Sequence, residues 1–149
     1  AVKGLQSGQI QFLYAPTHLN PTYEYGVTFE RGTAVTYGDR KQIFISGTAS
    51  IDNKGEIVYP GDILKQTERM LENIDTLLQE AGSGLQDIMQ AIVYLRDPAD
   101  YVVVKQYIES RYPSFPHLIV HAPVCRPGWL IETECIAVVP ADEPQYACL

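Results

Sequence analysis

The stretch 61–81 constrains the fold more than any other part of the chain. Ile63, Met70, Ile74, Leu77 and Leu78 recur at helical spacing, and Leu71 widens the stripe. A helix with one apolar side must lay that side on another element. Asp62 suits the positive N-terminal end, and Gly82 supplies a stop. Shorter runs on both sides read as strands. Residues 27–37 alternate Phe29, Thr33 and Val35 against Glu30 and Ala34. Residues 42–47 are a short β-branched apolar run, which predicts a buried strand. Asp52-Asn53-Lys54-Gly55 is turn chemistry and leaves room for one more short strand. Beyond the helix, 87–95 reads as a strand. Asp97-Pro98 opens a second helix to about Tyr112, and 117–122 and 129–139 close the chain as strands. Met70 and Met89 fit core positions.

The order β-β-(β)-α-β-α-β-β predicts an α+β fold, one sheet with two helices on one face. Residues 1–24, with Pro16, Asn20 and Pro21, are expected to form an irregular arm or linker. Residues 25–140 form the domain and 141–149 a tail. Both helices on one face leave the other face bare and partly apolar, so a second copy of the chain is expected to cover it.

Composition narrows the function. The 149 residues carry a net charge of −7, with 46% hydrophobic and 19% charged residues. That balance suits one globular domain and argues against nucleic acid, which needs many cations on one surface. No apolar run is long enough for a membrane span, and the first residues lack a leader pattern. The chain starts without Met, as expected of a processed product or a piece of something longer. Cys125, Cys135 and Cys148 are an odd set without CxxC spacing, so neither a disulfide framework nor a zinc site is expected, even with His18, His117 and His121. A reducing, cytoplasmic setting follows.

Several residues are candidates for chemistry. Glu132 and Glu134 share one strand face, opposite Ile131, Thr133 and Cys135. A part-buried Glu132 can act as general acid or base; a solvated one is an ordinary surface charge. Arg126, in Cys125-Arg126-Pro127-Gly128, can fork onto a carboxylate or lie on the surface. Cys125 is a nucleophile or a small hydrophobe. Ser46, Gly47 and Thr48 end a strand and can meet a ligand or form a simple bend. Arg31 can meet an anion or pair with a neighbouring acid. Tyr23, Tyr25, Tyr94 and Tyr101 are candidate walls of a site or packing residues.

Taken in order, several motifs resemble the RidA/YjgF family of reactive-intermediate deaminases. They are Ile45-Ser46-Gly47, Asp62 with Gln66, Leu71, Asn73 and Ile74, Ala81-Gly82, Val93-Tyr94-Leu95-Arg96-Asp97, Ser114-Phe115-Pro116, and the run 131–138. The resemblance implies a chorismate-mutase-like fold, a homotrimer with clefts between subunits, and no cofactor. It also implies hydrolysis of enamines or imines such as 2-aminoacrylate, a small carboxylate-bearing metabolite. The family's glutamate falls on Glu132 and its cleft serine on Ser46. Its carboxylate-binding arginine falls on Leu118, which cannot hold an anion. A narrower resemblance runs through Pro21-Thr22-Tyr23-Glu24-Tyr25, Phe29-Glu30-Arg31-Gly32, residues 46–50, and Cys125-Arg126-Pro127 leading to Glu132. These look like the C-terminal half of chorismatases, which hydrolyse an enol ether with a glutamate acid and arginines on the carboxylates. Three expectations stand: an imine or enamine hydrolase, a chorismatase-like domain, or a ligand-binding trimer without catalysis. The first two assign the carboxylate to Arg126, with Arg31 beside it.

Overall fold

The computed structural model describes residues 4–148. The first three residues of the expected arm, Leu149 of the expected tail and the side chain of Tyr25 lie outside the described residues. The regular elements are β1 (Ile10–Leu13), β2 (Gly32–Thr36), β3 (Arg40–Ala49), α1 (Ile63–Glu80), β4 (Ile88–Leu95), α2 (Tyr101–Arg111), β5 (His117–His121) and β6 (Ile131–Pro140). The strands make one sheet in the order β1-β2-β3-β6-β4-β5. β4 and β5 run parallel and the other neighbours antiparallel. This is the α+β layer that the helix stripe demanded.

Asp62 caps α1 by accepting from the Lys65 N–H at 3.0 Å, and the helix stops just ahead of Gly82. Its stripe packs on β3 and β6. Met70, Ile74, Leu77 and Leu78 are fully buried, and each such side chain is worth about 1.5–3 kcal/mol of burial. That burial ties the helix to the sheet. On the sheet side the core is Ile43, Ile45, Ala91, Val93, Leu95, Ile131, Cys135 and Ala137. α2 is attached more lightly, through buried Val104 and Ile108.

Four expectations need correction. The stretch expected to be irregular holds β1, whose Phe12 pairs with Thr33 of β2, so the sheet of the domain begins before residue 25. The strand expected over 27–37 shrinks to β2. Thr22 and Ser46 hydroxyls donate to the Phe29 and Glu30 carbonyls, so this backbone is tied to side chains and not to a ladder. The extra strand near the 52–55 turn is a single bridge, Ile51 to Ile57. Met89 is exposed, because the β4–β6 register breaks between Ile88 and Gln90 and turns its side chain outward.

The run 42–47 is buried on one face only, with Phe44 on the other. The face opposite the helices carries a row across four strands: Phe12, Thr33, Phe44 and Ile136. Ile10, Phe12, Phe44 and Leu118 are exposed large hydrophobics there. Among the described residues, no helix is long and apolar enough to cross a membrane.

Candidate active site

The site forms where β3 and β6 lose their register. The ladder slips between Ile45 and Thr48, which puts Gly47 in a bulge; Glu132 pairs with Ala49, and its side chain lies over Gly47. Any side chain at position 47 would collide with the Glu132 carboxylate. Glycine is therefore what lets the carboxylate lie against the strand end. The Cys125 N–H donates to that carboxylate. A cleft of about 160 Å³ opens here, lined by Phe29, Arg31, Gly47, Cys125, Arg126 and Trp129 among others.

Electrostatics separate the roles. Burial pushes the Glu132 carboxyl above the ordinary carboxylate range; the Cys125 N–H opposes this, and repulsion from Glu134 adds to it. Arg31 is buried and held down to about 10, first by desolvation and then by repulsion from Arg126. Two guanidiniums thus face one cleft beside a carboxyl that keeps its proton more readily than usual. Arg31 lies 5.5 Å from the Phe29 ring centroid and Arg126 5.4 Å from that of Trp129. The aromatic faces support both cations.

The loop that carries Cys125 and Arg126 is fixed from behind. Arg96, at the end of β4, donates to the carbonyls of Val124 (2.8 Å), Arg126 and Trp129 (2.6 Å). These are charge-assisted bonds, and the Arg126 carbonyl also accepts from the Trp129 N–H at 3.0 Å. Gln66 of α1, fully buried, donates to the Gly128 carbonyl at 3.1 Å and accepts from the Leu130 N–H at 3.0 Å. Nearby, Asn73 donates to the Ala49 and Ile51 carbonyls, each at 3.0 Å, and holds the chain where it leaves β3.

A family model described as Endoribonuclease L-PSP, the RidA/YjgF family, matches residues 32–139. The chain belongs to this family. A RutC family protein of Pyrococcus abyssi is 39% identical over 97 residues, which cover 64% of this chain and 76% of that protein. The 3-aminoacrylate deaminase RutC of Acinetobacter baylyi is 31% identical over 99 residues, 65% of this chain and 79% of that protein. The crystal structure of the YjgF gene product of E. coli matches 86% of this chain and 98% of its own, with a TM-score of 0.69 and 22% identity. That likeness shows the fold.

Within this RidA/YjgF frame the sequence candidates divide. Arg31, Gly47, Cys125 and Arg126 come together, with Glu132 against two of them. Ser46 lies apart; it lines a separate hollow of about 280 Å³ with Phe44, Gln90 and Glu134. Thr48 is not brought to the cleft. The bulge reverses its side, so it pairs with buried Thr133 and spends its hydroxyl on the Ser46 carbonyl at 2.9 Å. Tyr94 sits across from Glu132, but its hydroxyl donates to Glu134 at 2.9 Å on the open face. Leu118 is 61% exposed on edge strand β5, with β4 between it and β6. It is not among the residues that line the cleft with Arg31 and Arg126. Arg96 and Gln66 were legible only as motif positions, because nothing local marks a side chain whose partners are carbonyls about 30 and 62 residues away.

Proposed function

We propose that this RidA/YjgF protein hydrolyses a small enamine or imine that bears a carboxylate. The observation that carries the reading is the convergence of Arg31 and Arg126 on one cleft against which Glu132 lies. Arg126, with Arg31, takes the role that Leu118 cannot. Glu132 delivers its proton to the electron-rich carbon of the enamine. Water adds to the resulting iminium carbon and gives up a proton that restores the Glu132 acid, ammonia leaves, and an oxo acid remains. Burial favours the protonated form of Glu132, and the guanidiniums hold the substrate carboxylate.

The deaminase relative supports an aminoacrylate as substrate. The net charge of −7 and the small cleft favour a metabolite over RNA, despite the family model's name. In this reading the working form is a homotrimer that buries the open sheet face, and no cofactor takes part.

A second reading, enol-ether hydrolysis of the chorismatase type, draws on the paired guanidiniums and on the contact of Cys125 with Glu132. It needs the same proton delivery to an electron-rich carbon. The test is ammonia release from 3-aminoacrylate and from 2-aminoacrylate generated in situ, with chorismate in parallel and Glu132→Gln as control. Release that disappears in the variant supports deamination. Pyruvate formed from chorismate without ammonia release selects the second reading. Inertness toward all three substrates overturns both and leaves a ligand-binding trimer.

A further inference from the structure

Both cleft arginines are held by chain that lies outside the strand ladder, and in one case outside the family-matched residues 32–139. Asn20 is 3% exposed and sits eleven residues before Arg31. Its main-chain oxygen accepts from Arg31 Nε at 3.3 Å and Nη2 at 3.0 Å, and its Oδ1 accepts from Nη2 at 3.2 Å. Its amide nitrogen donates to Glu24 at 3.1 Å, which fixes which end of the amide faces Arg31. The tight turn at Ala15, whose carbonyl accepts from the His18 and Leu19 N–H groups, leads the chain inward to Asn20.

The Asn20 side chain also meets the turn that supports the other guanidinium. Gly55 has φ +76°, and a side chain there would come within 2.8–3.0 Å of the Asn20 amide. The Gly55 carbonyl accepts from Arg126 Nη1 at 3.4 Å. Asp52 shapes this turn by accepting from the Lys54 and Glu56 N–H groups at 2.9 and 3.0 Å. One junction, Asn20 against Gly55, therefore touches the supports of both cations.

We infer that Asn20 is a positioning residue which aims Arg31 into the cleft and, through Gly55, sets it relative to Arg126. Anion recognition then depends on the segment before β2. As a positioning role it rests on the proposed anion-binding cleft, and two readouts keep the inference and that reading separate. The first is hydrogen exchange of the Arg31 Nη2 hydrogens, which face Asn20 Oδ1, by NMR, assigned by their loss in Arg31→Lys. The second is the dissociation constant of pyruvate, used as a plain carboxylate probe.

Asn20→Ala removes Oδ1, so the Arg31 Nη2 hydrogens exchange about tenfold faster and pyruvate binds about tenfold more weakly, the scale of a lost hydrogen bond to a charged group, while the Nε–H keeps its main-chain acceptor. Asn20→Asp keeps an acceptor on Nη2 but neutralises Arg31, so the Nη2 hydrogens stay protected while pyruvate binding weakens. Unchanged exchange in Asn20→Ala overturns the inference. If Asn20→Ala does not fold, Asn20→Asp decides, and pyruvate binding equal to the parent protein overturns the inference. A parent protein that fails to bind pyruvate, with exchange still dependent on Asn20, overturns the anion-binding reading and supports the positioning of Arg31.

Discussion

Alternate residues of β6 have opposite fates. Ile131, Thr133, Cys135 and Ala137 face the helices and are buried. Glu132, Glu134, Ile136 and Val138 face the other way, where the described chain puts no helix. The covered side is complete within one copy. The open side holds the candidate acid at one end and an apolar row farther along. One strand thus supplies stability from one face and the proposed chemistry from the other, and a single-residue slip would exchange them.

The largest effect is expected at Glu132. Glu132→Gln lowers ammonia release by about 10²–10⁴-fold, the usual worth of a positioned acid. The same variant reports on burial. The folded-state carboxyl lies above its unfolded value. Its stability contribution is therefore full below the unfolded pKa and declines as pH rises through the folded one. The variant lacks this decline, so it melts above the parent at pH 8, and the gap closes below about pH 4. A gap that stays constant with pH would sink the buried-acid assignment.

Next comes the covered neighbour. Ile131→Ala is expected to cost about 2–5 kcal/mol in denaturant unfolding, by transfer and cavity terms together. A loss as small as that of a surface change would mean that the face is not packed as described. Arg126→Ala should raise the KM for an aminoacrylate about tenfold or more, as removal of a charge-assisted bond does, with Arg126→Lys recovering part of it. An unchanged KM would remove Arg126 from anion binding. The smallest effect on the monomer is expected from Phe44→Glu on the open face, within about 0.5 kcal/mol. Sedimentation should show the proposed trimer for the parent protein and a monomer for the variant; a monomeric parent protein, or a mass unchanged in the variant, would remove the open face as the joining surface.

Legibility in the sequence followed the length and regularity of each element. α1 could be read because its stripe repeats over several turns and both ends carry signals. β1 could not, because four residues between irregular segments acquire a period only once β2 lies beside them. Glu132, Arg126, Cys125, Gly47 and Arg31 could each be singled out by residue type and strand parity. Thr48 was misplaced because parity counting assumes an unbroken strand, and the bulge at Gly47 breaks it. Asn20 was legible only as part of an irregular arm, and its buried contact with Arg31 had no local mark.

The sequence alone determined the α+β layering and the two sides of β6, because helical and strand periods are local properties of the chain. Only the tertiary structure decided that Asn20, Arg31, Gly55 and Arg126 share one junction beside Glu132. Those residues sit on loops without periodicity. They meet only because the sheet order brings the ends of β3 and β6 under the arm that precedes β2.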